Sequence, residues 1–273
     1  MNTEKSVAYK KLVADMQKKY PVYEGQSPTK KIELFAPVLY GETVCKEINL
    51  YTYWQGFGYA ENTPKIKYLL VAQDWGNLFR RKPQDNQGIL NMNKTGEWFG
   101  PYNEIPKIAG TDTNLIKLFR LLNRDLLKFN EDVFFTNFCL GYRSGNEQGG
   151  MTKKLMMQDS AEFKRLCEIL EPENILCLGQ LTAECAYEAL NGAGTWRKIY
   201  GGFKNYNDFL ENHAELTVNC GDTTARFYPL AHCGIMGTMT RNKVYKNGKS
   251  FCEPNSKDLS KQEQDWKKIL RGE

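Results

Sequence analysis

Tyr68-Leu-Leu-Val-Ala-Gln-Asp-Trp-Gly76 is a run of apolar, strand-forming residues that stops abruptly in polar, glycine-containing backbone. Such a junction is where an open α/β sheet presents its chemistry, since ligands settle beyond the carboxyl ends of parallel strands. A second junction of the same kind lies far along the chain, at Tyr228-Pro-Leu-Ala-His-Cys-Gly-Ile-Met-Gly237. The first delivers a carboxylate, Asp74, and the second an imidazole, His232, one of only two histidines among 273 residues.

Between and around these junctions the apolar pattern alternates between strand and helix. Ala8, Leu12, Val13 and Met16 have helical spacing, so an amphipathic helix is predicted near the start. Residues 21–65 follow no clear period. A helix is predicted from about 112, with Leu115, Leu118, Phe119, Leu122 and Leu126 on one side and Thr111 or Asp112 as its cap. Residues 132–137 and 174–178 read as strands, each followed by a helix: Phe163, Leu166, Cys167 and Leu170 line one, and Ala183, Ala186, Tyr187 and Leu190 the other. Residues 191–213 read as an insertion. A strand at about 225–230 leads into a loop bearing His232, and a last helix has Ser260 and Glu263 as a capping box with Trp266, Ile269 and Leu270 inside.

Four strands separated by helices predict the α/β class: an open, mainly parallel four-stranded sheet with helices on both faces. The chain reads as one domain over 1–273, with a core at about 66–242, an N-terminal extension at about 1–65 and a C-terminal helix at about 256–271. Shared strand direction brings Gln73, Asp74, Asn137, Gly179, Gln180 and His232 to one rim. No G-x-S-x-G nucleophile, Walker A run or G-x-G-x-x-G is present, which speaks against serine hydrolases, P-loop enzymes and dinucleotide oxidoreductases.

Composition narrows the class further. With 37 Lys and Arg against 32 Asp and Glu, the net charge of +5 permits an acidic partner without requiring one. No apolar stretch reaches the roughly 18 residues of a membrane helix, and no secretory leader is visible, so the expectation is a cytoplasmic, monomeric protein without membrane contact. Eight cysteines contain no C-x-x-C, a spacing that speaks against zinc and iron–sulfur sites, and no cofactor or metal is expected.

The ordered set of Gln73-Asp74, Thr95-Gly-Glu-Trp-Phe-Gly100, Val133-Phe-Phe-Thr-Asn137, Ile175-Leu-Cys-Leu-Gly179 and the His232 loop resembles the uracil-DNA glycosylase superfamily. Gln73-Asp74 looks like the Q-D of the family's G-Q-D-P-Y motif. Thr95–Gly100 looks like the T-G-x-P-F-G of the single-strand-selective class, which puts Phe99 at the base-stacking position. Val133–Arg143 is similar to a V-Y-I-T-N-V-V-K-C-R-P strand, and His232 falls where the family has H-P-S-P-L. The likeness spans about 66–242, with motifs drawn from several classes and none matched in full.

The resemblance implies a uracil-DNA glycosylase-like fold and hydrolysis of the bond between deoxyribose and uracil, or a related deaminated or modified base, as in base-excision repair of DNA. Asp74 would hold or deprotonate the attacking water and stabilise the sugar cation, and His232 would donate to uracil O2. Gln73, Gly76, Phe99 and Asn137 would form the base pocket. Asn137 would read the O4 and N3–H edge, and Phe99 would stack on the flipped base. Ile235 or Met236 would wedge into the gap in the stack, and Arg143, Arg241 and Lys243 would contact phosphates. Gly76 stands where uracil-specific enzymes place a tyrosine that bars the thymine methyl, so a bulkier base is admitted. Cys233 replaces the proline that follows the histidine.

Each residue also has a plainer reading. Asp74 and Asn137 serve equally well as turn-forming residues, His232 as a backbone-satisfied histidine, Ile235 and Met236 as loop packing, and His213 as a surface residue. Two further functions stay open: a nucleic-acid-binding relative without turnover, and an unrelated α/β enzyme acting on a nucleotide or nucleoside.

Overall fold

The computed structural model describes residues 3–20, 34–35, 59, 62–74, 110–126, 130–143, 150–246, 249–251 and 258–272. In chain order its elements are α1 (Thr3–Lys19), β1 (Leu34–Phe35), β2 (Tyr68–Ala72), α2 (Gly110–Leu121), β3 (Val133–Asn137) and β4 (Tyr142–Arg143). Then come α3 (Lys153–Met156), α4 (Ser160–Leu170), β5 (Asn174–Leu178), α5 (Gln180–Asn191), α6 (Thr195–Tyr200) and α7 (Tyr206–Asn212). The chain continues through β6 (Leu216–Cys220), β7 (Thr223–Leu230), α8 (Ile235–Arg241), β8 (Val244–Lys246), β9 (Lys249–Phe251) and α9 (Ser260–Arg271).

The main sheet is α/β in character, with the order β3-β2-β5-β7-β6. Four strands are parallel, and β6 is an antiparallel edge paired to β7 from Leu216↔Phe227 to Cys220↔Thr223. The sequence reading of a four-stranded sheet is therefore corrected to five strands of mixed direction. β6 carries the alternation of buried and exposed residues expected of an edge strand covered on one face, whereas β3 and β5 are buried throughout. A tight turn through Gly221, at φ 63°, joins β6 to β7, which is why this pair is antiparallel.

Strand residues alternate between two cores, as the period of two demands. Leu69, Val71, Phe134, Ile175, Cys177 and Phe227 pack with α1, α4 and α5 through Leu12, Met16, Phe163, Leu166 and Ala183. Leu70, Val133, Phe135, Leu176 and Leu230 face α2 and α9 through Ile116, Phe119, Trp266 and Ile269. Phe119 and Trp266 meet edge to face at 5.0 Å between ring centroids. In α1, Tyr9 joins Tyr59 and Phe134 in an aromatic trio, so the first helix is built into the core.

Several boundaries differ from the sequence reading. α2 begins at Gly110, which puts Thr111 and Asp112 inside the helix rather than at its cap. In α9 the residue before the helix is Leu259, and the Asp258 carboxylate, not a Ser260–Glu263 box, accepts the Ser260 backbone N–H at 2.9 Å. Residues 191–213 contain α6 and α7, whose Trp196 and Phe209 stack edge to face at 5.1 Å and are buried. Six cysteines at 139, 167, 177, 185, 220 and 233 are buried and free, and burial raises the thiol pKa of Cys139, Cys167 and Cys177, so they behave as small hydrophobes.

Candidate active site

From β2 the chain moves to β3 on one side of the sheet and later to β5 on the other, with α2 covering one face and α4 the opposite one. The direction of winding therefore reverses between β2 and β5, and the crevice outside a reversal is where open α/β sheets bind ligands. Gln73 and Asp74 leave the end of β2, and Gly179 leaves the end of β5. The Gly179 N–H donates to Leu230 O at 2.8 Å, which ties the crevice to the end of β7 and the His232 turn. A Cβ on Gly179 would lie 4.0 Å from the His232 Cβ, and its φ of 96° is one that other residues rarely adopt.

Asp74 and His232 are close enough to interact: the carboxylate raises the ring's pKa, while the larger effect of desolvation lowers it below the ordinary 6.5. The net direction is down, although the ring is exposed along the rim. The Gly234 N–H donates to His232 Nδ1 at 3.0 Å. Nδ1 is then the acceptor, and the neutral ring carries its proton on Nε2. A neutral imidazole with its Nε2–H available can donate to a ligand carbonyl without adding charge. On the acid's side, Gln73 Nε2 donates to Asp74 Oδ2 at 2.9 Å and so orients the carboxylate.

Asn137 ends β3 and pairs in register with Ala72, two residues before Asp74. It is only 5% exposed, and the Phe138 and Cys139 N–H groups donate to Ala72 O and Gln73 O at 2.8 and 3.1 Å, locking the two strand ends together. Beyond Asn137 the turn is anchored by buried Asp159, which accepts the Leu140 N–H at 2.7 Å and the Tyr20 hydroxyl and pairs with Lys19 at 3.1 Å. The N-terminal helix thus reaches the rim through its last residues.

The His232 turn is held differently. Asn114 Nδ2 of α2 donates to Cys233 O at 2.7 Å, and Gln262 Nε2 of α9 donates to His232 O at 3.1 Å. From α7, the Tyr206 hydroxyl donates to Leu230 O at 3.2 Å, and Asn207 Nδ2 donates to Thr240 O at 3.0 Å. The stretch read as an insertion is in fact a brace under the turn and under α8.

The structure brings Gln73, Asp74, Asn137 and His232 to one edge and separates other expected residues from it. Ile235 and Met236 open α8 and are 55% and 72% exposed, apolar side chains directed at solvent beside the histidine. Lys243 follows α8 and is half-buried. Arg241 is not a rim cation. It is 2% exposed, with Nε and Nη2 donating to Asp265 at 2.8 and 3.0 Å and Nη1 donating to Glu211 at 2.9 Å. Its charge is satisfied internally, so the expected phosphate contact is withdrawn. Gly76, Phe99 and the Arg143 side chain lie outside the described residues.

The second histidine belongs elsewhere. His213 stacks on Phe209 at 4.7 Å between centroids, with Nδ1 2.7 Å from Ala214 O, and borders a cleft of about 240 Å³ with Tyr228, Asp265, Lys268 and Arg271. None of the rim residues lines this cleft, and burial lowers its pKa below the ordinary value.

Among the described residues no three His, Cys, Asp or Glu side chains are grouped to hold a metal, and no helix is long and apolar enough to cross a membrane. The chain matches no protein-family model and no curated protein.

Proposed function

We propose that the protein is a DNA glycosylase that hydrolyses the N-glycosidic bond of uracil, or of a related deaminated or modified base. The observation that carries the reading is that Asp74, past the end of β2, and His232, past the end of β7, open on the same edge of the sheet beside its reversal. Breaking this bond leaves positive charge on the sugar and negative charge on the base, so an acid and a fixed hydrogen-bond donor on opposite sides of the bond are what the reaction calls for. The motif resemblance of Gln73-Asp74, Thr95–Gly100, Val133–Asn137 and the His232 loop gives independent support.

In this mechanism the C1′–N1 bond breaks with its electron pair passing to the base, and His232 Nε2–H donates to the developing oxyanion at O2. Asp74 stabilises the sugar cation and receives the proton of the water that adds to C1′. A neutral histidine suits a donor to an anionic leaving group, since it need not be recharged by solvent between turnovers. Asn137 offers its carboxamide to the O4 and N3–H edge, Phe99 stacks on the base, and the missing side chain at Gly76 leaves room at C5. Ile235 or Met236 fills the gap left in the duplex, at a site where unstacking costs a few kcal/mol. Arg143 and Lys243 are the proposed phosphate contacts.

The test is a panel of oligonucleotides carrying uracil, hypoxanthine, xanthine or mismatched thymine, read as strand breakage after alkali. The expected result is base release from at least the uracil substrate, with Asp74→Asn and His232→Ala each slowing it by at least about tenfold. If the wild-type chain releases none of these bases, the glycosylase reading is refuted, and retained oligonucleotide binding would identify a binding relative instead.

A further inference from the structure

We propose that Gln262, in α9, is a positioning residue that sets the orientation and protonation of His232. Its kinetic consequence rests on the glycosylase reading, while its structural consequence does not.

The turn at residues 231–233 belongs to neither β7 nor α8, and its carbonyls need hydrogen-bond donors. Side chains from remote helices supply them. Gln262 lies on the buried side of α9, one turn before Trp266, and is 1% exposed. Its amide donates to His232 O at 3.1 Å and to Ala231 O at 3.4 Å, while its Oε1 accepts the Thr238 hydroxyl at 2.9 Å. Three hydrogen bonds of one carboxamide therefore join the histidine's own peptide to the middle of α8.

Close packing leaves little room for another arrangement. A Cβ on Gly237 would come within 2.0 Å of His232 O, so that carbonyl is trapped between the α8 backbone and the Gln262 amide. Fixing this peptide plane fixes the direction of the His232 Cα–Cβ bond. It also fixes the turn that aims the Gly234 N–H at Nδ1, the contact that assigns the ring proton to Nε2. A buried carboxamide this fully engaged is costly to lose, because its partners are left without water or substitute.

Gln262→Leu removes both donors and the acceptor at similar volume, and Thr238→Val removes only the hydroxyl. The two histidines make the readout simple: imidazole ¹H–¹⁵N spectra of the full chain between about pH 5 and 8 contain two rings, assigned with His213→Gln. In Gln262→Leu, His232 is expected to lose its single Nε2–H tautomer and to titrate at a shifted pH, while His213 is unchanged. Single-turnover release of uracil is expected to fall about tenfold, with oligonucleotide affinity within about twofold of wild type. Thr238→Val is expected to move the His232 signals the same way by less, and it carries the test alone if Gln262→Leu does not fold. Unaltered His232 tautomer and titration in a folded variant would overturn the proposal. A wild-type chain that releases no base, with His232 still disturbed by Gln262→Leu, would overturn the glycosylase reading and leave the positioning role standing.

Discussion

The end of β2 and the end of β7 present the two candidate reacting groups, and they are held by different means. Asp74 stands on a strand end fastened by backbone: Phe138 and Cys139 N–H groups donate to the carbonyls of Ala72 and Gln73, and the neighbouring Gln73 side chain donates to the carboxylate. His232 stands on a turn whose carbonyls are taken by Asn114 and Gln262, from helices more than a hundred residues before it and thirty residues after it. Backbone contacts survive almost any substitution, whereas a turn held by side chains fails when one of them changes. The acid is thus placed by the sheet, and the imidazole by the packing of α2, α7, α8 and α9 around it.

The largest expected break lies on the side-chain-held end. Removing the carboxylate in Asp265→Ala leaves the buried Arg241 charge with only the half-exposed Glu211 and should cost about 3 kcal/mol of stability, measured by urea unfolding. The reverse outcome, a stable variant in which oligonucleotide binding becomes more steeply salt-dependent, would return Arg241 to a phosphate-contacting role.

Next in size are the two candidate reacting groups. On the glycosylase reading, His232→Ala should lower the rate of base release about 100-fold, comparable to loss of an oxyanion donor. A similar loss is expected for Asp74→Asn in the same single-turnover assay. A smaller effect is expected on the backbone-held side: Gln73→Leu removes one hydrogen bond, worth about 1 kcal/mol, and should slow release by about fivefold. An equal loss for Gln73→Leu and Gln262→Leu would erase the difference between the two ends.

The smallest effect is a dependence of stability on pH. Both histidines have folded-state pKa values below the ordinary 6.5, so above 6.5 both states are neutral and stability is at its full value. As pH falls below 6.5 the unfolded chain takes up protons first, and stability declines until the folded values are reached. His213→Gln should remove part of that decline in denaturant titrations at pH 7 and pH 5, and an unchanged slope would deny His213 any share.

Much of this architecture is legible along the chain. Strands β2, β3 and β5 are continuous apolar runs closed by Asp74, by Asn137 and by Gly179, so their ends are visible without coordinates. β6 is hidden in the sequence although Leu216-Thr-Val-Asn-Cys220 alternates with period two, because its short length and lack of a following helix resemble a loop. α8 reads as loop because its seven residues, with Gly237 among them where the backbone closes on His232, are too few to show an apolar helical period. The burial of Arg241 is hidden for a different reason: a basic residue beside a rim reads as exposed until its partner is known, and Asp265 lies 24 residues away.

Order of strand-like and helix-like stretches, and the identity of the polar groups that terminate them, is a local property written in apolar periodicity and glycine placement. That much this sequence determines alone: an α/β chain with Asp74 and His232 at strand exits. Which exits adjoin depends on strand order, and β2 came to lie between β3 and β5 only because α2 and α4 cover opposite faces. The burial of Arg241 and the grip of Gln262 likewise exist only once distant helices pack together, since each is a contact between groups that no local pattern relates.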